Sequence, residues 1–162
     1  IKIKSIEKES KEFTLRTNKI DKVNLMGNYL KNGKLDNLFN LVGLINQSDP
    51  EQKYLNDAEI IFKNRLLLKS SNLDDLYALA ISQILQRKAI SARETLDKII
   101  IKDKANAYTY LAKSIVEIYL FDFKNANKSI EKSISINNDK SIEETLKKIY
   151  VVTNYLKFLN IL

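Results

Sequence analysis

The sequence predicts an all-α fold: about eight helices packed as antiparallel pairs, preceded by a short extended or hairpin segment. Three observations point there. The 162 residues contain only three Gly and one Pro, too few for the many tight turns of a sandwich or barrel. Apolar residues make up 44% and charged residues 29%, the balance of a globular chain and not of a disordered one. From about residue 19 onward, apolar residues recur at helical spacing, in stripes separated by short polar breaks.

The elements follow in order. Residues 1–18 stand apart, with Ile1, Ile3 and Ile6 among lysines and Phe13 and Leu15 alternating with Glu12, Thr14 and Arg16. That period-two pattern suggests extended chain or a hairpin turning near Glu9-Ser10-Lys11. A helical repeat domain is expected over 19–162. Its first stripe (Ile20, Val23, Met26, Gly27, Leu30) stops at Asn32-Gly33. The second (Leu35, Leu38, Leu41, Val42, Ile45) stops at Ser48-Asp49-Pro50. Pro50 suits the opening of a third helix, where its missing N–H costs little. That helix carries Leu55, Ala58, Ile61 and Phe62 and breaks at Ser70-Ser71-Asn72. A fourth runs from Leu73 to about Arg87, a fifth carries Ala92, Leu96 and Ile99, and a sixth Tyr108, Leu111, Ala112 and Ile115. Ala126, Ile130 and Ile134 mark a seventh. The eighth opens at Ser141, with Glu144 at capping-box spacing, and runs close to Leu162.

A displacement of 34 residues superposes Ala92 on Ala126, Leu96 on Ile130 and Ile100 on Ile134. A small Ala lets two helices approach closely, and apolar residues four and eight further on seal the same face. This pattern resembles the tetratricopeptide repeat, a 34-residue helix–turn–helix unit. One matching unit holds Leu76, Leu79 and Ala80, then Ala92, Leu96 and Ile99. Another holds Tyr108, Leu111, Ala112 and Ile115, then Phe123, Ala126, Ile130 and Ser133, with two extra residues read near Leu120-Phe121. A third lies upstream, with Val23, Met26, Gly27 and Leu30, then Leu35, Leu38, Val42 and Ile45 before Asp49-Pro50. It departs from the family in having Leu38 where Ala is wanted. Residues 51–70 break the register and are expected as an unpaired or remodelled helix. The resemblance implies an antiparallel helix-pair solenoid, a superhelix of about eight helices.

His and Cys are both absent, which removes the commonest general base, the commonest zinc ligands, thiol nucleophiles and disulfides together. No phosphate-binding Gly loop, nucleophile elbow or metal motif occurs. No catalytic residue, cofactor or metal is therefore expected, and the chain reads as no enzyme. The paired carboxylates Asp74-Asp75 and Glu143-Glu144 sit at helix starts, where negative charge favours the helix dipole. The aromatic group Tyr108, Tyr110, Tyr119, Phe121 and Phe123 follows the helix period and is expected mostly in core packing.

The net charge is +7, distributed as +5 over 1–34, −2 over 35–97 and +4 over 98–162. Basic ends could meet nucleic acid or an anionic membrane. Acids are interspersed, however, and Arg occurs only at 16, 65, 87 and 93, which weighs against a duplex reader. Frequent Lys, Ile and Asn share AT-rich codons, so a base-composition bias, as in an AT-rich bacterial genome, accounts for part of the cationic character. The chain begins at Ile1, as a processed or trimmed product would, and an anchor upstream would be invisible. The absence of Cys allows cytoplasm and cell envelope alike.

The expected function is a non-enzymatic adaptor in complex assembly. Its partner is another protein, with a homodimer as the alternative. A basic module for nucleic acid or an anionic membrane surface is the rival. The resemblance implies that the first helix of each pair lines a binding groove. Carried over by position, the groove residues are Asn24, Asn28 and Lys31, with Asp21 beside them, then Tyr77 and Ile81 after Asp74, then Thr109 and Lys113 before Glu117. Asn28 fits one position of the family's carboxylate clamp, but Asn24 stands where a Lys is needed, so a chaperone-tail clamp is not expected. The last helix crowds apolar residues into its final turns, and Tyr155, Phe158 and Leu162 are expected to contact a partner. The other outcome is that this helix folds across the end of the array and buries them all.

Overall fold

The computed structural model describes the backbone of residues 2–48 and 51–159 and the side chains of 3–8, 20–47 and 51–158. The helices are α1 (Lys2–Asn32), α2 (Leu35–Ser48), α3 (Lys53–Leu68), α4 (Leu73–Leu85), α5 (Ala89–Lys102), α6 (Ala107–Tyr119), α7 (Phe123–Ile136) and α8 (Lys140–Leu159). No strand occurs among the described residues, so the all-α class holds. None of the helices, over the described residues, is long and apolar enough to cross a membrane.

From α3 to α8 each helix packs on the next in the chain, and α1 lies along α4 while also touching α2, α3 and α6. Helix α4 is the centre of the molecule, with every residue from Asp75 to Gln83 buried. The close approach of α1 is made by Gly27, where an added Cβ would lie 2.7 Å from the Ala78 backbone nitrogen. The α1–α2 turn also needs its glycine. Gly33 takes φ 71°, a conformation that only glycine adopts without strain, and it lies under the Tyr108 ring. The main core joins α1 through α6, and a smaller one gathers Leu111, Ile130, Ile142 and Leu146 from α6, α7 and α8.

The helix pairs α4/α5 and α6/α7 recur at a spacing of 34 residues at all four bounds. Their turns recur too, with Arg87 at φ 60° and Phe121 at φ 58°. Both first helices are capped by an asparagine, the Asn72 carbonyl accepting from the Asp75 N–H and that of Asn106 from the Tyr108 N–H, which satisfies donors that a helix start leaves open. The second unit therefore holds no extra residues at Leu120-Phe121, contrary to the sequence expectation. Residues 51–70 are not out of register either. Helix α3 ends 34 residues before α5, and Ala58, Ala92 and Ala126 are all fully buried, as are Phe62, Leu96 and Ile130. The helix outside the spacing is α2, which packs principally on α1.

Residues 2–18 continue α1 as helix, where an extended or hairpin segment was expected. Neither Gly nor Pro interrupts the chain before Gly27, so an alternation of a few residues does not outweigh uninterrupted helix propagation. Ile3 and Ile6 on this stretch are exposed. Helix α8 is capped by Asp139 and not by Ser141: the Asp139 carboxylate accepts from the Ser141 N–H at 2.9 Å, while Glu144 pairs with Lys148. Pro50 lies outside the described residues. The expected aromatic core is only partial. Tyr119 and Phe121 are exposed, Phe121 meeting Phe123 edge-on at 6.0 Å in the α6–α7 turn.

Candidate protein-interaction surface

The groove expected from the first helices is largely filled. Tyr77, Ile81 and Thr109 are buried, because α1 covers the face of α4 on which the first two lie. The Tyr77 hydroxyl shares a 2.7 Å hydrogen bond with Thr109 Oγ1 and donates to Asp103. Burial, chiefly, pushes its pKa far above the ordinary tyrosine value. These residues join α4 to α6 and are not free to meet a partner. Asn24 and Asn28 are half-buried on α1. Lys31, at the same end, pairs with Asp74 at 3.2 Å. Tyr155 and Phe158 are exposed on α8 together with Val151 and Val152, so α8 does not bury its whole stripe. Leu162 lies outside the described residues. The packed flank of α8 faces α7 through Ile142, Leu146 and Thr153, the last bonded to Asn127.

Lys31 lines a small cleft beside Asn106 and Tyr108. Lys113 and Glu117 line another, one of a pair of clefts related by the 34-residue spacing. The first, of about 740 Å³, lies over α4 between α3 and α5. Leu76 and Leu79 form its floor and Leu66 and Leu67 its α3 rim, with Lys98 and Lys102 along α5. The second, of about 570 Å³, lies over α6 between α5 and α7. Tyr110, Lys113 and Glu117 form its floor, Arg93 and Asp97 its α5 rim, and Lys128 and Lys132 line α7. The floor triads correspond residue by residue: Leu76 to Tyr110, Leu79 to Lys113 and Gln83 to Glu117.

The polar framework beneath the clefts corresponds as well. Thr95 donates to the Gln83 side-chain oxygen at 2.6 Å, and Ser129 donates to the Glu117 carboxylate. Across the helix turns, Lys88 pairs with Glu59 and, one unit on, Arg93 pairs with Asp122. The ion pair recurs with its polarity reversed. Every buried side-chain nitrogen and oxygen among the described residues has a partner.

The two buried carboxyls differ in charge behaviour. Burial pushes Glu59 up, but hydrogen bonds from Lys88, Gln83 and Lys63 outweigh it and hold the group below its ordinary value. Burial likewise pushes Glu117 up, and there the Ser129 hydroxyl and the nearby Lys113 and Arg93 charges do not compensate, so it stays above the ordinary range. Lys113 is itself engaged by Asp97 at 2.8 Å. The ammonium groups of Lys98, Lys102, Lys128 and Lys132 are exposed and pair with no carboxylate among the described residues.

Sequence reasoning missed this face. The correspondences Gln83/Glu117, Thr95/Ser129 and Glu59/Arg93 are all readable in the chain once α3 is placed in register. No family model, curated protein or solved structure matches the chain.

Proposed function

We propose that the chain is a non-enzymatic scaffold, a tetratricopeptide-like helix-pair solenoid that binds a partner protein along the α3–α5–α7 face. The observation that carries this reading is the recurrence of two open clefts at successive repeat positions, on one shared framework but with different side chains at the surface. A packed framework holds those side chains in place before binding, so ordering them costs little when a partner arrives. Different side chains at the two clefts let the surface discriminate between partners, since specificity is a difference of affinities.

The test is affinity capture by the full chain from extracts of its source cell, followed by stoichiometry by light scattering and a salt titration. A protein partner with fixed stoichiometry and shallow salt dependence is the expected result. Capture of nucleic acid or lipid alone, with affinity falling steeply with salt as counterion release demands, would replace this reading with that of a basic module.

A further inference from the structure

We infer that the two clefts form one continuous docking track for an extended, acidic peptide segment of a partner protein, whose apolar side chains enter the α4 cleft and whose carboxylates meet the lysines around the α6 cleft. This rests on the protein-binding reading above and names the chemistry of the segment bound.

Three features select that chemistry. First, the α4 cleft has a hydrocarbon floor in Leu76 and Leu79 and an exposed apolar rim residue in Leu67. A nucleic acid offers at most the single methyl of thymine to such a space, whereas a peptide offers whole aliphatic side chains. Second, the cations along the track are unspent. Lys98 and Lys102 lie one helical turn apart on α5, as do Lys128 and Lys132 on α7, and none of the four makes an ion pair among the described residues. Glu94 stands four residues before Lys98 and Glu131 three after Lys128, spacings at which ion pairs form on a helix, yet among the described residues neither carboxylate is paired with these lysines, and Asp97 is engaged by Lys113. Third, the dimensions suit an extended strand. Packed helices stand about 8–10 Å apart and a strand advances about 3.3 Å per residue, so a dodecapeptide reaches from one cleft to the other across α5.

Glu117 sharpens the electrostatics. It is the only carboxyl on the α6 floor, and it stands where the α4 cleft has the neutral Gln83. Glu117→Gln removes that carboxyl and leaves Lys113 as the one charged group on the α6 floor, which favours an anionic segment more strongly.

The probe is a random dodecapeptide library displayed on phage and selected on the immobilised full chain, with the enriched peptides then measured by fluorescence anisotropy. Enriched sequences should combine an apolar block with an acidic block. Lys128→Glu with Lys132→Glu should weaken them roughly tenfold or more, as removal of opposing charges at an interface does. Leu67→Ser, on an exposed side chain, should weaken them through the apolar block without unfolding the protein, which circular dichroism checks. Enrichment without acidic residues, or affinity unchanged in both variants, would overturn the track. So would an oligouridylate competing with the same dependence on Lys128 and Lys132, which would mark the surface as one for RNA. If the extract partner is captured undiminished by the Lys128→Glu, Lys132→Glu variant, the track fails while the scaffold reading stands. If no protein is captured at all, the scaffold reading itself fails.

Discussion

The α4 and α6 clefts are built on one framework and finished differently. In both, a first helix lies between two second helices, with a buried Ala and a buried large apolar residue one turn apart: Ala92 with Leu96 on α5, and Ala126 with Ile130 on α7. In both, a hydroxyl on the second helix holds a polar side chain on the first. Above that level the two diverge. One floor is leucine and glutamine, the other tyrosine, lysine and glutamate. The interior positions are constrained by volume, because a close-packed interior tolerates little change in size. The rim positions are constrained only by solvation. The ion pairs Lys88–Glu59 and Arg93–Asp122 show the intermediate case, in which opposition of charge is kept and its direction is not.

If the two units are equivalent, truncating their shared core should cost alike. Leu96→Ala and Ile130→Ala should each lose about 2–5 kcal/mol, the range for large-to-small core changes, measured by urea unfolding. A large loss in one and none in the other would break the equivalence. Overpacking the Ala positions is the next test: Ala92→Leu and Ala126→Leu should each cost about 1–3 kcal/mol, read from thermal melts by circular dichroism. The same range applies to Gly27→Ala, whose new Cβ would meet the Ala78 backbone, a neighbour that cannot rotate away.

The buried carboxyls separate the units by the sign of their pH dependence. Glu59 is held below its ordinary value of 4.5, so the stability it contributes is present above that value and is lost as pH falls through the folded pKa. Glu117 is held above 4.5, so its contribution is present below that value and is lost as pH rises through the folded pKa. Glu59→Gln should therefore destabilise the protein at neutral pH by about 1–3 kcal/mol, the scale of charged hydrogen bonds. Glu117→Gln should stabilise it slightly at neutral pH and remove the decline on the alkaline side of 4.5. Urea midpoints taken from pH 4 to 7 check both signs, and slopes of the same sign would contradict the assignment. The smallest effect belongs to the rim: Lys128→Glu with Lys132→Glu should shift stability by no more than about 0.5 kcal/mol per site.

The helices were legible because their apolar stripes and polar breaks are strong, and α3 through α8 fall where the periodicity puts them. The register was legible only in part. Leu38 on α2 was taken for the small-residue position, whereas Ala58 on α3 occupies it, so the helix that keeps the spacing was read as the irregular one. Periodicity reports that a face is apolar, not which helix will cover it. For the same reason Tyr77, Ile81 and Thr109 were placed in an open groove: α1 packs over α4 through the Gly27–Ala78 contact, a pairing between residues 51 apart in the chain that no local pattern announces. The N-terminal segment was misread because a short alternation is weak evidence beside a long stretch without breakers. The exposure of Tyr155 and Phe158 is one of two outcomes that the wide apolar stripe on α8 leaves open, because the pattern does not tell whether a second neighbour covers it.

The central claim is that a partner protein lies across the α4 and α6 clefts. Photo-crosslinking tests it most directly, with benzoylphenylalanine placed singly at Leu67, Lys132, Asp21 and Tyr155 and the captured partner added to each. All four positions are exposed, so reactivity reports proximity and not accessibility. The account predicts cross-links from Leu67 and Lys132 and none from Asp21 on α1. Cross-links confined to Asp21 or to Tyr155 would place the partner on another face and contradict it.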